Sequence, residues 1–171
     1  MKEIHILIPN QRLFLFENQK LIQSFIISTA KNGAGEKMGS EKTPRGKHFI
    51  RAKIGAGAPQ NAVFVARRFT GEIFNEKLAR ENPNRDWILS RILWLCGAER
   101  GKNRGGNVDT MRRYIYIHGA PDDAPFGTPN SHGCIRMKNA DIIALFDSVP
   151  PQTPVWIWDD LNAAPPFLKN L

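Results

Sequence analysis

Short runs of alternating apolar residues fill the first third of the chain, and this alternation restricts the folds that it can adopt. The first run, from Ile4 to Ile8, ends at Pro9-Asn10, and two further runs follow at 13–16 and 21–28. A period of two places successive side chains on opposite faces of a strand. Because polar turn-forming residues separate the runs, the pattern predicts a meander of β-hairpins.

The rest of the chain continues this β pattern, with one helix among the strands. Further strands are predicted at 48–52, 62–66, 113–118 and 155–158, and a polar loop with a helical turn at 76–85. Residues 87–95 fit a buried strand or a short helix, and their tryptophan and isoleucine residues favour the strand. Apolar residues with helical spacing from Ala140 to Val149 predict a helix that Asn139 caps and Pro150-Pro151 ends. The expected fold is mainly β, a single-domain sandwich or barrel over residues 1–160 with this helix after Cys134. Residues 161–171 are expected to form a loose C-terminal tail.

Length and composition exclude several classes of protein. The chain has 171 residues, of which 42% are hydrophobic and 23% charged, as in soluble globular domains. No apolar stretch is long enough to cross a membrane, so we expect no membrane insertion. The N-terminus lacks the basic and apolar segments of a secretory signal. We therefore expect a cytoplasmic protein if Met1 is the native start, and a periplasmic or cell-wall protein if the chain is a trimmed mature form.

The formal net charge of +8 and a pI near 9.8 suggest either an anionic partner or a generic basic surface. Lysines and arginines are spread from Lys2 to Lys169 and accompany no nucleic-acid motif, so we expect no nucleic-acid partner. The two cysteines, Cys96 and Cys134, are too few for a disulfide scaffold, and we expect both to be free thiols.

A histidine and a cysteine both lie where predicted strands meet glycine-containing turns. The alternation over 113–118 places His118 at the end of a strand, and Cys134 follows a loop long enough to fold back beside it. A thiol attacks a carbonyl as a thiolate and therefore needs a base or a positive field. We predict that Cys134 is the nucleophile of an acyl-transfer enzyme and that His118 is its base.

The neighbours of Cys134 have the properties that such a site needs. Gly133 lets the backbone turn its amide inward, so the amides of Gly133 and Cys134 are candidates for holding an oxyanion. Arg136 and Lys138 are expected to lower the thiol pKa and to attract a carboxylate. A histidine base also needs an orienting partner, and since no acidic residue is obviously placed for this, a backbone carbonyl near Gly119 is the candidate.

Other interpretations remain open for these residues. A single cysteine is often only a small buried apolar residue, which is our interpretation of Cys96. His118, His132 and Cys134 form a conceivable zinc ligand set, but no CxxC or HExxH spacing supports it, and we expect no metal. A binding module that has kept the fold and lost the chemistry is a further alternative.

Several segments together resemble one known family. His118-Gly119 and the run Ser131-His132-Gly133-Cys134-Ile135-Arg136-Met137 resemble the signature of the L,D-transpeptidase (YkuD-type) catalytic domain. Residues 11–16 resemble the opening hairpin of that family, and Ser28-Thr29 and Thr43-Pro44-Arg45-Gly46 resemble its ST and TPxG segments. The similarity extends over most of the chain.

The resemblance implies a role for each matching residue. Cys134 would be the acylated nucleophile, His118 the base that the Gly119 carbonyl orients, and the Gly133 and Cys134 amides the oxyanion hole. Other residues of the motif would shape the site or meet a substrate carboxylate: Ser131, His132 and Arg136. The family implies no metal or organic cofactor and implies acylation of Cys134 by carbapenems.

The resemblance also implies peptidoglycan stem peptides or soluble muropeptides as partners. The donor would be a murein stem tetrapeptide, attacked at the L-centre carbonyl of its third, diamino-acid residue with expulsion of the terminal D-alanine. An amine acceptor would make the enzyme a transpeptidase. Water would make it an L,D-carboxypeptidase in murein peptide recycling, an alternative that a cytoplasmic location favours. The acceptor, the identity of the third stem residue and the oligomeric state stay open.

Overall fold

Ten β-strands and two α-helices make up the fold in a computed structural model that describes residues 1–171. The strands are β1 (Lys2–Leu7), β2 (Arg12–Glu17), β3 (Lys20–Ser28), β4 (Gly46–Ile54), β5 (Ala62–Val65), β6 (Arg68–Ile73), β7 (Ile88–Gly97), β8 (Tyr116–Gly119), β9 (Ile135–Met137) and β10 (Pro154–Trp158). The helices are α1 (Glu76–Glu81) and α2 (Asn139–Ser148), and short 3₁₀ turns lie at Gly106–Val108 and Pro166–Leu168. The mainly β fold with one main helix after Cys134 is confirmed.

The sheet closes on itself. Its order is β4-β10-β1-β2-β3-β9-β8-β7, and β4 also pairs with β7, so these strands form a continuous ring. Closure removes the unpaired edges that an open sheet leaves exposed. The β5–β6 hairpin extends this barrel from the first residues of β7, where Val63 pairs with Leu89.

The predicted meander at the N-terminus is confirmed. Strands β1, β2 and β3 pair antiparallel with their neighbours along the chain. Asn18 and Gln19 form the turn between β2 and β3 with φ values of +49° and +66°. Two residues with positive φ are what a two-residue hairpin turn requires, and Asn tolerates this conformation better than most residues.

Helix α2 joins the core of the barrel through one face. Its side chains Ile142, Leu145 and Phe146 are buried in the same cluster as Leu93 of β7 and Ile117 of β8. Burying an aliphatic or aromatic side chain of this size contributes about 1.5–3 kcal/mol. The helix therefore holds in place the strands next to the candidate site. Neither helix has the length and apolar character needed to cross a bilayer.

The prediction that Asn139 caps α2 is wrong. Lys138 is the N-cap and makes no side-chain capping bond, while Asn139 is the first helical residue and is buried. The Asn139 side-chain nitrogen Nδ2 donates to the Ala120 carbonyl at 2.9 Å, and the side-chain oxygen Oδ1 accepts from the Ser90 hydroxyl. Buried carbonyls need partners, and here that demand outweighs the local preference for a cap.

Three further segments differ from expectation. The C-terminal segment is packed, since Ala164 and Leu168 are buried against apolar residues of β1 and β2. Strand β6 was not predicted, because its residues are mostly exposed and show no apolar alternation. The strand expected from Arg113 begins only at Tyr116, because Tyr114 has a φ of +56° that interrupts an extended backbone.

Candidate active site

The pairing of β8 with β9 brings the predicted nucleophile and base together. These strands run parallel, with His118 opposite Arg136, and Cys134 directly precedes β9. The Tyr116 amide donates to the Cys134 sulfur at 3.3 Å, which places Cys134 opposite Tyr116. Because alternate residues share a face of a sheet, Cys134 and His118 are diagonal neighbours on one face.

The turn before Cys134 depends on Gly133. Its φ is +129°, and a Cβ added there would lie 3.0 Å from Ile115 Cδ1, closer than a normal contact. The buried Ser131 hydroxyl donates to the Cys134 carbonyl at 2.5 Å and lies 3.2 Å from the Gly133 amide nitrogen, from which it accepts. Ser131 therefore closes the turn and fixes the direction of the Cys134 backbone.

A threonine far away in sequence anchors the same turn. The buried Thr43 hydroxyl donates to the Gly133 carbonyl at 2.9 Å and accepts from the Ala30 amide, also at 2.9 Å. Thr29 in turn bonds to Gln11 through its hydroxyl at 2.7 Å and its amide at 2.9 Å. The segments that resemble the ST and TPxG motifs thus support the turn that carries Cys134.

The surroundings of Cys134 favour the neutral thiol over the thiolate. Burial raises its pKa to about 12, while the hydrogen bond from the Tyr116 amide acts in the opposite direction. The thiol donates to the Tyr114 carbonyl, 3.4 Å from the sulfur. We expected Arg136 to lower the thiol pKa. It does act in that direction, but the loss of solvent outweighs it.

His118 has the backbone partner that a base of this kind requires. Its Nδ1 lies 2.7 Å from the Gly119 carbonyl oxygen, and because a carbonyl only accepts, Nδ1 carries the proton and Nε2 is left free to act as a base. The ring is buried, and burial lowers the pKa of His118. Both members of the pair are therefore uncharged at neutral pH.

The two amides predicted for an oxyanion hole differ in whether they already donate a hydrogen bond within the protein. The Cys134 amide hydrogen-bonds to no other group of the protein and is available to a ligand. The Gly133 amide is already engaged by the Ser131 hydroxyl at 3.2 Å. The expectation of two free donors therefore needs correction, because the Gly133 amide serves an oxyanion only if Ser131 gives way.

A cavity of about 480 Å³ opens beside Cys134, and His132 and Arg136 line it. Arg136 Nη2 pairs with the Asp86 carboxylate at 2.7 Å, and its Nη1 donates to the Asn130 carbonyl at 3.2 Å. Asp86 was not predicted as a site residue, because a single acidic residue in a polar loop has no distinguishing pattern. The side chains of the protein include no group of three or more potential metal ligands, so the zinc alternative lacks a ligand set.

Comparison with known families agrees with this arrangement. Residues 1–157 match the family model of the L,D-transpeptidase catalytic domain, YkuD. The match covers most of the chain and includes both strands of the candidate site. The protein belongs to this family of enzymes. Among curated proteins, no sequence matches it significantly.

Solved structures show the same fold at low sequence identity. An L,D-transpeptidase from Mycobacterium smegmatis aligns with a TM-score of 0.54 and 15% identity over 92% of this chain and 58% of its own. L,D-transpeptidase 3 from Mycobacterium tuberculosis, in complex with a faropenem-derived adduct, gives 0.57 and 14% over 92% and 60%. An L,D-transpeptidase from Xylanimonas cellulosilytica gives 0.50 and 20% over 92% and 60%. The chain thus spans only about 60% of the length of these proteins.

Proposed function

We propose that the protein transfers acyl groups from peptidoglycan stem tetrapeptides through a thioester on Cys134. The terminal D-alanine leaves, and an amine acceptor resolves the thioester in the L,D-transpeptidase reaction. The observation that carries the proposal is the position of Cys134 beside His118, whose Nδ1 is held by the Gly119 carbonyl at 2.7 Å. A nucleophile next to an oriented base is the arrangement that covalent acyl transfer requires.

The chemistry follows from two neutral groups. As the Cys134 sulfur attacks the peptide carbonyl, His118 Nε2 takes the thiol proton, and the oxyanion forms near the free Cys134 amide. The imidazolium then gives this proton to the departing amine of D-alanine, which leaves the thioester. In the second half His118 takes a proton from the acceptor amine or water, the acceptor attacks the thioester carbonyl, and the thiol is restored.

The resting hydrogen bond of the thiol has a consequence for the first step. The Cys134 sulfur lies within hydrogen-bond distance of the Tyr114 carbonyl, at 3.4 Å, and makes no hydrogen bond to His118. The thiol must therefore rotate before proton transfer, and the catalytic hydrogen bond forms with the donor peptide in place. Such tightening on substrate binding is common for catalytic pairs.

The acceptor that resolves the thioester determines which of two reactions the enzyme catalyses. If water resolves the thioester, the enzyme is an L,D-carboxypeptidase that trims tetrapeptides to tripeptides. A cytoplasmic enzyme would meet soluble muropeptides and an exported enzyme would meet the wall, a distinction that cell fractionation can make. Either reaction begins with the same attack by Cys134.

Mass analysis of products from a disaccharide-tetrapeptide tests the proposal. Cross-linked dimers or exchange of D-alanine for an added D-amino acid would support the transpeptidase. Loss of D-alanine alone would support the carboxypeptidase. An unchanged tetrapeptide, in a sample shown to be folded by circular dichroism, would contradict both.

A carbapenem provides a companion test that needs no peptide. One solved relative carries a faropenem-derived adduct, which supports β-lactam acylation as a probe of this family. We expect the mass of the protein to rise by one carbapenem, and the increase to be absent from Cys134→Ala. Equal labelling of both proteins would contradict the assignment of the nucleophile.

A further inference from the structure

The cavity beside Cys134 carries an excess of positive charge. Three guanidinium groups line it, those of Arg67, Arg113 and Arg136, against one carboxylate, that of Asp86. A cavity lined mainly by one sign of charge attracts ligands of the opposite sign. The three arginines are not equivalent, however, because Arg136 pairs with a carboxylate and Arg113 donates to two backbone carbonyls, whereas Arg67 donates only to one hydroxyl.

Arg136 and Arg113 hold parts of the protein together. Arg136 is neutralised by Asp86 at 2.7 Å. Arg113 Nη2 donates to the Lys42 carbonyl at 2.6 Å and its Nη1 to the Gly35 carbonyl at 3.3 Å, which ties the loop before β4 to the cavity wall. A substrate that used either guanidinium would have to break these bonds.

Arg67 is different in position and in partners. It lies in the two-residue turn between β5 and β6 with a φ of +65°, and its Nη1 donates to the Tyr116 hydroxyl at 3.0 Å. Its guanidinium carbon lies 4.8 Å from the ring centre of Trp94 and 4.9 Å from that of Tyr114. No carboxylate pairs with it, so its remaining donors are unoccupied.

These contacts hold the Arg67 guanidinium in place and leave it without a carboxylate partner. Stacking on two aromatic rings and one hydrogen bond fix the plane of the guanidinium, which reduces the entropy lost when a ligand binds. A planar guanidinium with free donors matches a carboxylate. Tyr116 links this group to the reaction, since its hydroxyl accepts from Arg67 while its amide donates to the Cys134 sulfur.

We propose that Arg67 binds a carboxylate of the acyl-donor peptide and so determines which donors reach Cys134. The inference rests on the proposed function, because it assigns a substrate group to the same site. Next to the bond that is cleaved, a stem tetrapeptide offers a carboxylate at its terminal D-alanine, and at its third residue when that diamino acid ends in a carboxylate as well as an amine; the proposal concerns these two. The shared chemistry is a carboxylate, and the experiment separates the two sources.

The experiment compares Arg67→Gln with Arg68→Gln on three peptides. Arg68 is the exposed next residue, carries the same charge and does not line the cavity, so it is a matched control. The peptides are the free acid, its C-terminal amide, and a form with the third-residue carboxylate converted to a carboxamide. The readouts are kcat/KM and, in a Cys134→Ala background, Kd by calorimetry.

For the free acid we expect Arg67→Gln to lower kcat/KM about tenfold or more, and Arg68→Gln to change it less than about twofold. The amide that removes the bound carboxylate should weaken the wild type by a similar factor and abolish the effect of Arg67→Gln. The other amide should behave like the free acid, which identifies the carboxylate. Arg67→Lys should recover only part of the loss, because lysine keeps the charge without the planar fork.

The experiment distinguishes a failure of the Arg67 inference from a failure of the proposed reaction. If product forms but Arg67→Gln matches Arg68→Gln, or weakens all three peptides equally, Arg67 only builds the wall and the inference is wrong. If no product forms and the Cys134→Ala background shows no binding that depends on Arg67, both the reaction and the inference fail. Binding that depends on Arg67 without any product would overturn the reaction and retain the carboxylate site. Thermal melts check that the variants are folded.

Discussion

The two cysteines of the protein lie in different surroundings, although their pKa values shift in the same direction. Cys96 lies in β7 opposite Phe49 of β4, is 6% exposed, and has its sulfur 3.5 Å from the Gly97 carbonyl. Cys134 lies between the Gly133 turn and β9 and lines the cavity. Burial raises the pKa of both thiols.

Because the pKa values of both thiols are raised, thiol acidity does not distinguish the proposed nucleophile Cys134 from Cys96. What separates the two residues is access to the cavity, a free backbone amide, and the position of His118 as a diagonal neighbour of Cys134 on the same face of the sheet. The groups that act electrostatically on Cys96 are arginines and an aspartate, none of which can serve as a base at neutral pH in the way that His118 can. In the proposed mechanism, the reactivity of Cys134 therefore comes from neighbours that act during the reaction.

The strongest test of this difference between the two cysteines is to replace each of them with alanine in turn. We expect Cys134→Ala to lower the rate of product formation by about 10⁴-fold or more, because a covalent route has no substitute nucleophile. Cys96→Ala should keep the rate of the wild type and lose only about 1 kcal/mol of unfolding free energy. Mass analysis of tetrapeptide products and urea denaturation measure the two effects. Comparable losses of activity in both variants would contradict the division of roles.

Thiol labelling sharpens the same contrast without a substrate. Iodoacetamide should modify Cys134 in the folded protein and leave Cys96 unmodified until the barrel opens, with a rate difference of about 10³-fold or more. Because the pKa of Cys134 is raised to about 12, its labelling rate should rise about tenfold per pH unit between pH 7 and 9. Peptide mapping after timed quenching gives both rates, with denatured protein as the control in which both thiols react. Equal rates in the folded state would show that Cys96 is accessible.

Local patterns predicted much of this fold because much of it is local. The hairpins β1–β2–β3 join neighbours in sequence, so alternation and turn residues specify them. The closure of the barrel is not local. Strand β7 pairs with β8 along one edge and with both β4 and β5 along the other, and no sequence pattern announces such a choice of partners. The short, exposed β6 had no apolar alternation to detect.

The residues of the candidate site also fall into two groups, those that local sequence predicts and those that it does not. His118-Gly119 and the turn before Cys134 carry their chemistry in adjacent residues, and sequence alone identified them. Asp86 and Arg67 lie in polar loops and reach the cavity only because of how β7 and the β5–β6 hairpin are paired. Their residue types and spacing are those of ordinary surface charges, so their part in the site could be found only in three dimensions.

Replacement of the base tests which histidine belongs to Cys134. His118 and His48 are both buried, and both have Nδ1 close to a backbone carbonyl, at 2.7 Å for His118 and 3.0 Å for His48. We expect His118→Ala to lower kcat about 10²- to 10⁴-fold, the usual contribution of a general base. His48 lies in β4 and does not line the cavity, so His48→Gln should leave kcat per folded molecule unchanged. A similar loss in both variants would indicate damage to the barrel in place of loss of a base.

The pH dependence of the wild-type rate tests the direction in which the pKa of His118 is shifted. A base acts only when it is neutral, and burial lowers the pKa of His118, so the neutral form persists to lower pH than for an ordinary histidine. The acidic limb of kcat/KM should therefore have its midpoint below about 6.5, the ordinary histidine pKa. A midpoint above that value would contradict the neutral resting pair.

The smallest expected effect concerns the support behind the nucleophile. Thr43→Val removes the hydroxyl that bonds to the Gly133 carbonyl and the Ala30 amide, and leaves two buried groups without partners. We expect a loss of about 2 kcal/mol in unfolding free energy and about tenfold in kcat, because the turn no longer holds Cys134 in one position.

Thr153→Val is the matched control for this change. Its buried hydroxyl donates to the Pro150 carbonyl at 2.7 Å, on the approach to β10, and makes no contact with the nucleophile turn. It should cost about 1 kcal/mol in stability and nothing in kcat. Urea denaturation and saturation kinetics on the folded fraction separate the two variants. Should Thr43→Val lose stability but keep its full kcat, the turn would be held adequately by Ser131 alone, and the two cysteines would differ through their immediate neighbours without help from the TPxG segment.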